Sequence, residues 1–266
     1  MPNPLTDPLP LVSIILPTYN GGRYITDAIR SILEQTYAQW ELIVVEDGSS
    51  EPSREIVERF SDTRIHYVPL LKNRKLPGAL NEGFRHAKGD LLTWTSDDNL
   101  YFPEALSMLV SALETHPQWD MVFSDMYLID EAGHTIGFYS AGPVAELPRR
   151  SNLGACFLYR RKVYEALGDY DETLFLVEDY DYWLRVSAKF MIGKLDRVLY
   201  AYRQHSGQLT GLPRVKENAL AHERVWRKHG LPVQPLYPTI WRRARYFLYR
   251  RVVRLGRWLL GIPKTD

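Results

Sequence analysis

Two adjacent acids, Asp97 and Asp98, follow the apolar stretch 90–96 and precede a segment in which Pro103 stands near the start of a helix-like pattern. Two like charges at the end of a buried strand repel each other and lose hydration, which is costly unless a positive group lies beside them. A divalent cation is the obvious positive group. The alternative from these residues alone is that Asp98 or Asn99 caps the following helix. The pair therefore predicts either a metal or ligand site or a helix N-terminus.

Polar clusters also follow two earlier apolar stretches, as PTYNGG in residues 17–22 and EDGSS in residues 46–50. The ends of parallel strands meet at one edge of a sheet, where such folds bind ligands. Neither a Gly-x-Gly-x-x-Gly nor a Walker sequence is present, so a metal is the candidate to replace those phosphate cradles. Asp47 retains a local alternative, because Asp-Gly-Ser is common turn chemistry. Tyr19 retains the alternative of a core position.

The elements that must position these clusters alternate between strand and helix. Apolar runs predict strands at 11–17, 41–47, 64–70 and 90–96. Helical spacing predicts helices at 25–33 and 79–87, and Ser49 or Ser50 followed by Pro52 predicts another helix start. This alternation predicts an α/β fold, a Rossmann-like, mostly parallel sheet flanked by helices.

Charge and composition exclude several classes of protein. The 266 residues suffice for one large domain or two small ones. Residues 239–266 hold eight Lys and Arg against one acid, which leaves 25 basic and 31 acidic residues in residues 1–238. The acidic body argues against binding to nucleic acid. The single cysteine, Cys156, excludes an intramolecular disulfide and fits a reducing compartment.

The start of the sequence has no pattern of a secretory signal, and the chain has no run long enough to predict a transmembrane helix. Residues 1–10 lack a basic segment followed by an apolar run, and they read as a flexible arm. No run approaches the roughly 18–20 apolar residues of a spanning helix. We therefore expect a cytoplasmic protein without transmembrane spans.

Five motifs occur in one order along the chain: VSIILPTYNGG, VVEDGSS, TSDDN, VEDYDYWLRV and YRQHSGQLT. As an ordered set over about residues 11–210, they resemble the family 2 inverting glycosyltransferases, which have the GT-A fold. The resemblance implies a nucleotide-sugar-binding half in 11–125, an acceptor-binding and catalytic half in 126–212 and a C-terminal helical region in 213–266.

The resemblance also implies roles for the donor-side residues. Pro17, Thr18, Tyr19 and Asp47 would hold the nucleotide base, with Asp47 accepting a hydrogen bond from a ring N–H of uracil. Asp97 would meet the ribose or the sugar. In the KNRK segment, Arg74 or Lys75 would contact the base or the phosphates.

The metal motif departs from the commonest form of the family. Many members read Asp-Ala-Asp-Asp where this chain reads Thr95-Ser96-Asp97-Asp98. The variant resembles members that keep the last acid for the metal, so Asp98 would bind Mg²⁺ or Mn²⁺ at the diphosphate. His205 resembles a late histidine that reaches the metal or the diphosphate. Its alternative is a hydrogen-bonded structural histidine.

Inverting transfer needs a base that takes the proton of the acceptor hydroxyl as its oxygen attacks the anomeric carbon. Asp179 matches the base position of the family, and Glu178 lies beside it on the donor side. A carboxylate is ionised at pH 7 from a reference pKa of about 4, although a dry site would raise that pKa. The alternative is that both acids only favour the start of a helix.

Acceptor recognition is predicted for the stretch 125–159, whose candidates are Tyr127, Phe138, Tyr139, Asn152, Gly154 and Ala155. Core packing is an equally good explanation of those aromatic residues. Trp183-Leu184-Arg185 has no matching glutamine of the processive synthases, so the resemblance favours one sugar per encounter.

The sequence and the resemblance together predict a metal-dependent transferase. Its donor, by the resemblance, would be a UDP-sugar, and its acceptor would be a saccharide or lipid-linked glycan in envelope polysaccharide assembly. Two alternatives stay open. One is a nucleotide-sugar-binding module without turnover, and the other is a nucleotidyltransferase, which would need a basic Gly-rich loop where PTYNGGRY has only Arg23.

The last segment, residues 239–261, predicts a basic amphipathic helix. At roughly 100° per residue, an apolar stripe forms from Trp241, Ala244, Leu248, Val252, Leu255 and Leu259. Arg243, Arg250, Arg254 and Arg257 lie on the opposite side. Such a helix fits the surface of an anionic membrane, and the alternative is packing on the acidic body.

Overall fold

A computed structural model describes residues 9–209 and 214–233 of the chain. The strands of this part are β1 Val12–Thr18, β2 Trp40–Glu46, β3 Ile65–Pro69, β4 Leu91–Trp94, β5 Leu100–Tyr101, β6 Met121–Ile129, β7 Thr135–Tyr139, β8 Phe157–Arg160 and β9 Ile192–Arg203. The α-helices are α1 Ile25–Leu33, α2 Arg54–Glu58, α3 Lys75–His86, α4 Ala105–Thr115, α5 Arg161–Leu167, α6 Glu178–Ser187 and α7 Val215–Lys228.

One mixed sheet runs through the described chain in the order β3-β2-β1-β4-β8-β6-β9-β5, with β7 paired to β6. β1 is parallel to β2 and β4, β2 is parallel to β3, and β6 is parallel to β9. β8 runs antiparallel to both β4 and β6, and β5 runs antiparallel to β9. The predicted mostly parallel α/β sheet is therefore confirmed, and short antiparallel strands complete it.

Alternating side chains of the central strands divide the core into two layers. On one face, Ile15, Ile43 and Val45 pack in a cluster that includes residues of α3, α6 and α7. On the other face, Ile14 and Leu42 pack in a cluster with α1 and α4. Strands that are buried on both faces read as continuous apolar runs, which is why β1 and β2 were predictable.

The helix-capping alternative for Asp98 and Asn99 is wrong. The chain forms β5 directly after them, and the N-cap of α4 is Glu104. The Asn99 side chain is buried and accepts a hydrogen bond from the Arg203 backbone N–H. Ser49 and Ser50 do not cap α2 either, because its N-cap is Ser53, whose backbone N–H and hydroxyl both donate to Glu46.

Several sequence predictions fall at or beyond the limits of the described chain. The N-terminal arm lies outside it up to residue 8, and the whole of 239–261 lies outside it. The predicted division at residue 125 falls inside β6, so the two halves share one sheet. In the described residues, no helix has the length and apolar character needed to cross a bilayer.

Candidate active site

A cleft of about 1000 Å³ opens where β1, β2 and β4 end. Its walls also include the start of α3, parts of β6 and β7, the beginning of α6, the residues after β9 and the start of α7. The cleft is lined by these predicted site residues: Pro17, Thr18, Tyr19, Asp47, Lys75, Asp97, Asp98, Glu178, Asp179 and His205. The folding of the chain thus brings every predicted donor-side, metal-binding and catalytic residue except Arg74 to one place.

Thr18 and Asp97 form a direct pair between the ends of β1 and β4. Thr18 Oγ1 donates a 2.6 Å hydrogen bond to Asp97 Oδ2. Burial raises the pKa of Asp97 to about 7, and the hydrogen bond from Thr18 opposes part of that rise. A Cβ atom at Gly21 would overlap both Asp97 Oδ2 and Thr18 Oγ1. The absence of a side chain at position 21 therefore gives this pair its room.

Asp47 performs a turn role as well as lining the cleft. Its Oδ1 accepts a 2.7 Å hydrogen bond from the backbone N–H of Arg74, immediately before α3. Burial raises the pKa of Asp47, and this bond opposes the rise. Gly48 has φ +67, and a Cβ there would overlap the backbone of Lys72 and Asn73. Turn chemistry and a place in the cleft are thus compatible.

Of the two basic candidates in KNRK, only Lys75 reaches the cleft. The Arg74 guanidinium lies 3.2 Å from Glu82 and 2.7 Å from Glu172. The Lys75 ammonium lies 5.7 Å from the centroid of the Phe175 ring, another cleft residue. Arg74 therefore contributes its backbone N–H to Asp47 and its side chain to an ion-pair network.

Asp98 and His205 come together from β4 and β9. His205 Nε2 lies 2.9 Å from Asp98 Oδ2, whereas Asp98 Oδ1 is buried without a hydrogen-bond partner. An unpaired carboxylate oxygen is a fit for Mg²⁺ or Mn²⁺, since both accept carboxylate ligands and leave other positions to phosphate and water. No group of three or more metal-binding side chains occurs in residues 9–209 and 214–233.

Tyr24 and Trp183 are cleft residues that the sequence reasoning did not assign to the site. The Tyr24 hydroxyl and the Trp183 Nε1–H are buried without hydrogen-bond partners. The Tyr24 ring lies 5.2 Å from the His205 ring and 4.6 Å from the Arg203 guanidinium. No residue pattern identified Tyr24, because an aromatic residue before a helix is usually part of the core.

Glu178 and Asp179 occupy the first turn of α6. Glu178 is buried, and its Oε2 has no hydrogen-bond partner. Asp179 Oδ1 accepts a 2.6 Å hydrogen bond from the Tyr180 backbone N–H. Burial raises the pKa of both carboxyl groups, and the charge of Asp179 raises that of Glu178 further. The two acids therefore begin the helix and also face the cleft.

Three non-glycine residues of the described chain have left-handed backbone conformations: Asn20 with φ 54, Lys75 with φ 66 and Leu176 with φ 81. All three line the cleft. Such conformations cost roughly 1–3 kcal/mol each and concentrate at ligand sites. The strain is therefore located where the predicted site residues meet.

Only some of the predicted acceptor residues reach the cleft, and the buried Asn152 is not among them. Tyr139, Gly154 and Ala155 line the cleft. Tyr127 pairs with Phe138 across β6 and β7, and neither residue lines the cleft. Because successive strand residues point to opposite faces, Met126 faces the cleft whereas Tyr127 and Phe138 form an exposed aromatic pair on the other side.

Helix α7, the last helix of the described residues, makes polar contacts with α6 and with the residues that flank it. Trp226 Nε1–H donates to the Tyr180 hydroxyl at 3.0 Å. The fully buried Asp181 lies 2.7 Å from Lys228, 2.8 Å from His229 and 3.0 Å from Arg185. The contacts with Lys228, His229 and Trp226 join the helix that carries Asp179 to a segment that follows all five motifs.

Comparison with known proteins gives a family and a fold. Residues 13–168 match the family described as Glycosyl transferase family 2. "Uncharacterized glycosyltransferase RT0329" of Rickettsia typhi is 34% identical over 215 residues, with 76% of this chain and 66% of that protein covered. "Putative glycosyltransferase EpsE" of Bacillus subtilis is 30% identical, with 74% of each chain covered.

A shorter match covers 39% of this chain and 41% of an Escherichia coli protein at 38% identity. That protein is "UDP-Glc:alpha-D-GlcNAc-diphosphoundecaprenol beta-1,3-glucosyltransferase WfgD".

Solved structures share the fold at low sequence identity. S. aureus TarS 1–349 in complex with UDP-GlcNAc has a TM-score of 0.67 and 18% identity, covering 81% of this chain and 65% of that one. The mannosyltransferase PcManGT from Pyrobaculum calidifontis, in complex with GDP-Man and Mn²⁺, has a TM-score of 0.64 and 18% identity, covering 89% and 72%. The chain thus spans about two thirds or less of the length of RT0329 and TarS.

Proposed function

Because the chain belongs to glycosyl transferase family 2, we propose that it is an inverting, metal-dependent enzyme that transfers one sugar per encounter from a UDP-sugar. The proposed acceptor is a hydroxyl of a saccharide or a lipid-linked glycan in envelope polysaccharide assembly. One observation carries the proposal: Asp98 and His205 share a single cleft with Glu178 and Asp179. A donor site and a base are thereby available to the same reaction.

The donor is held in this proposal by residues from the first three strand ends. Tyr19, which is 53% exposed, has a ring surface free to lie against a base. Asp47 supplies a buried carboxyl group, and Lys75 supplies a positive charge for the phosphates. The name of WfgD and the UDP-GlcNAc complex of TarS support a UDP-sugar as the donor.

Asp98 and His205 are the residues that would hold the cation, for which Mg²⁺ and Mn²⁺ are the candidates. When bound, the cation supplies positive charge that stabilises the departing diphosphate. The Mn²⁺ complex of PcManGT supports this choice of metal. The hydrogen bond from Thr18 orients the Asp97 carboxyl, which in this proposal meets the ribose or the sugar.

Asp179 is the proposed base. Its carboxylate takes the proton from the acceptor hydroxyl while the acceptor oxygen forms a bond to the anomeric carbon and the bond from that carbon to the diphosphate oxygen breaks. Because the leaving group departs from the face opposite the attack, the anomeric configuration inverts. The raised pKa of Asp179 makes it a stronger base than an exposed aspartate once it is ionised.

The acceptor and the location of the protein are proposed from the remaining features. The name of WfgD includes a diphosphoundecaprenol acceptor, which supports a lipid-linked glycan as the acceptor of this chain. The basic pattern of residues 239–261 supports a cytoplasmic enzyme that lies on the inner face of a membrane.

The test is a panel of nucleotide sugars and saccharide acceptors with Mn²⁺, Mg²⁺ or EDTA, analysed by NMR of the products. We expect a metal-dependent glycoside whose anomeric configuration is opposite to that of the donor, together with a free nucleoside diphosphate. Retention of configuration would contradict the role of Asp179. Release of pyrophosphate would instead identify a nucleotidyltransferase, and binding without any product would identify a module without turnover.

A further inference from the structure

Arg203, the last residue of β9, carries a buried guanidinium group just behind the cleft. The residue is 3% exposed. Its Nε–H donates to the backbone carbonyl of Asp98 at 2.9 Å, and its Nη1 donates to the carbonyls of Asp130 and Glu131 at 3.3 and 3.1 Å. One side chain thus joins the loop after β4 to the turn between β6 and β7.

The backbone of Arg203 adds a further tie to the same loop. Its N–H donates to Asn99 Oδ1 at 2.8 Å. Two residues later, His205 Nε2 lies 2.9 Å from Asp98 Oδ2. The end of β9 therefore holds residues 98 and 99 through a backbone carbonyl, a side-chain amide and a carboxylate.

The charge of Arg203 is placed against dipoles and a ring. The hydrogen bonds of its guanidinium go to backbone carbonyls. The guanidinium also lies 4.6 Å from the centroid of the Tyr24 ring and 3.8 Å from the Asp27 carboxylate. Burying a cation costs hydration free energy, which well-placed hydrogen bonds and nearby charges must offset. The elements that it fixes are the ones that carry Asp98 and His205.

We propose that Arg203 is a positioning residue that holds Asp98 and His205 in the geometry needed for the divalent cation. The inference rests on the proposed function, in which those two residues bind the cation. Arg203 does not itself line the cleft, whereas Tyr202, Gln204 and His205 do. Its side chain acts through the Asp98 carbonyl and the Tyr24 ring, which lies near both Arg203 and His205, and its backbone N–H acts through Asn99.

Arg203→Lys tests the proposal, because it keeps the charge and removes the planar fork of donors. Arg161→Lys is the matched control: the Arg161 guanidinium also donates to two backbone carbonyls, those of Gly89 and Ala87, at the opposite end of β4. The measurement is UDP affinity by calorimetry in Mn²⁺ and in EDTA, together with the melting temperature of each variant.

We expect Arg203→Lys to weaken UDP binding about 10–100-fold in Mn²⁺, the usual effect of losing a residue that orients a metal ligand. Binding in EDTA should change less than about twofold, since the base contacts remain. Arg161→Lys should leave the affinity unchanged in both buffers, whatever its effect on the melting temperature. If Arg203→Lys does not fold, Asn99→Ala is the second variant. It removes the hydrogen bond between the Arg203 backbone N–H and the Asn99 side chain, and it should also weaken UDP binding only in Mn²⁺.

The positioning role would be overturned if Arg203→Lys lost UDP affinity equally in Mn²⁺ and in EDTA, or if it lost no more UDP affinity than Arg161→Lys. Asp98→Ala separates this failure from failure of the proposed function. If Asp98→Ala loses the Mn²⁺-dependent part of UDP affinity while Arg203→Lys and Asn99→Ala keep it, only the inference about Arg203 is wrong. If Asp98→Ala keeps the Mn²⁺-dependent part of UDP affinity, the assignment of the cation to Asp98 is wrong, and the inference about Arg203 is then wrong as well.

Discussion

Four of the cleft residues contain a buried polar atom without a hydrogen-bond partner: Tyr24, Asp98, Glu178 and Trp183. Each such atom costs the folded state roughly 1–3 kcal/mol relative to a paired one. A ligand that supplies the missing partners regains that free energy on binding. At the scale of residues, these atoms favour a polar ligand with several hydrogen-bonding groups, as the proposed nucleotide sugar has.

Asp97 should make the free protein less stable as the pH rises. Its pKa is raised from 3.8 to about 7 by burial, so between these values the folded state binds more protons than the unfolded state. The free energy of unfolding therefore decreases as the pH rises through this range. The side-chain amide of the Asp97→Asn variant cannot ionise. The free energy of unfolding of this variant, relative to the parent protein, should therefore increase by about 1–3 kcal/mol as the pH rises from about 5 to about 8.

Chemical denaturation in EDTA, at a series of pH values, measures this difference. Asp196→Asn is the control for loss of one carboxyl charge at the surface, because the Asp196 side chain is 86% exposed. If Asp97→Asn and its parent keep the same difference in unfolding free energy at every pH, burial does not hold the proton on Asp97.

Asp179→Asn should lose turnover and keep donor binding. The amide cannot accept the acceptor proton, and loss of a general base costs about 10²–10⁴-fold in rate. Its Oδ1 can still accept the Tyr180 N–H, so the first turn of α6 is retained. Glu178→Gln should lose less turnover, because the raised pKa of Glu178 favours the neutral form that glutamine imitates.

Initial rates and UDP-sugar calorimetry on the two variants decide between the acids. A larger rate loss in Glu178→Gln would exchange their roles. Loss of donor binding in Asp179→Asn would move Asp179 to the donor site.

At the residue scale, the sequence predicted which acids lie at the cleft, whereas their chemical roles stay predictions. Acids at strand ends, such as Asp47, Asp97 and Asp98, were predictable because burying a carboxylate is costly unless a partner or a ligand compensates its charge. Tyr24 and Trp183 were not predictable as polar groups, since an aromatic side chain in an apolar pattern reads as core. The choice between Arg74 and Lys75 required the structure, because it depends on whether Glu82 and Glu172 take the guanidinium.

At the scale of elements, the turn from β1 into α1 depends on a small residue next to the site. Gly21→Ala places a methyl group against Asp97 Oδ2 and Thr18 Oγ1, which are the ends of side chains and can move aside. The fold should persist while the hydrogen bond between Thr18 and Asp97 is lost. We expect UDP affinity to fall about tenfold, the equivalent of one hydrogen bond.

Gly22→Ala is the matched control for this prediction. A Cβ at position 22 has Ile56 Cδ1 at 3.7 Å as its nearest neighbour, which is an ordinary contact. Calorimetry with UDP and thermal melting should show that Gly22→Ala resembles the parent protein in both. Equal affinities for the two variants would mean that the pair of Thr18 and Asp97 does not support donor binding.

The elements themselves were predictable to different degrees. Helix α1 has the predicted bounds, because apolar spacing and the preceding glycines act together. Strands β5 and β8 have two and four residues, too few for a periodic signal, and their pairing with β9 and β4 is set by distant segments. The buried cluster of Asp181 with Arg185, Lys228 and His229 is likewise invisible until α7 packs on α6.

At the scale of the whole molecule, charge is distributed unevenly along the chain. The 28 residues 239–266 carry a net charge of +7, whereas residues 1–238 carry −6. Residues 239–261, which lie outside the described residues, were predicted from sequence as a basic amphipathic helix. An anionic membrane attracts such a segment by about 1 kcal/mol for each basic residue near its surface. The alternative is that the acidic body attracts the same segment.

Sedimentation with anionic and neutral liposomes distinguishes membrane binding from packing on the body. We expect the full chain to sediment with anionic liposomes at low salt and to be released as salt is raised, because screening weakens attraction between exposed charges. A chain that ends at Pro238 should stay in the supernatant in both cases. It should keep UDP affinity, because the cleft residues found in the described part of the chain all precede residue 216.

A full-length variant with Arg243, Arg250, Arg254 and Arg257 replaced by glutamine separates the charge of this segment from its apolar stripe. Under membrane binding by the predicted helix, this variant loses most of its sedimentation with anionic liposomes, and its melting temperature stays that of the parent. If the tail instead packs on the body, both altered chains melt at lower temperature, and neither differs from the parent in sedimentation. The combined measurements thus assign the segment to one surface, because the same arginines cannot face lipid headgroups and the acidic body at once.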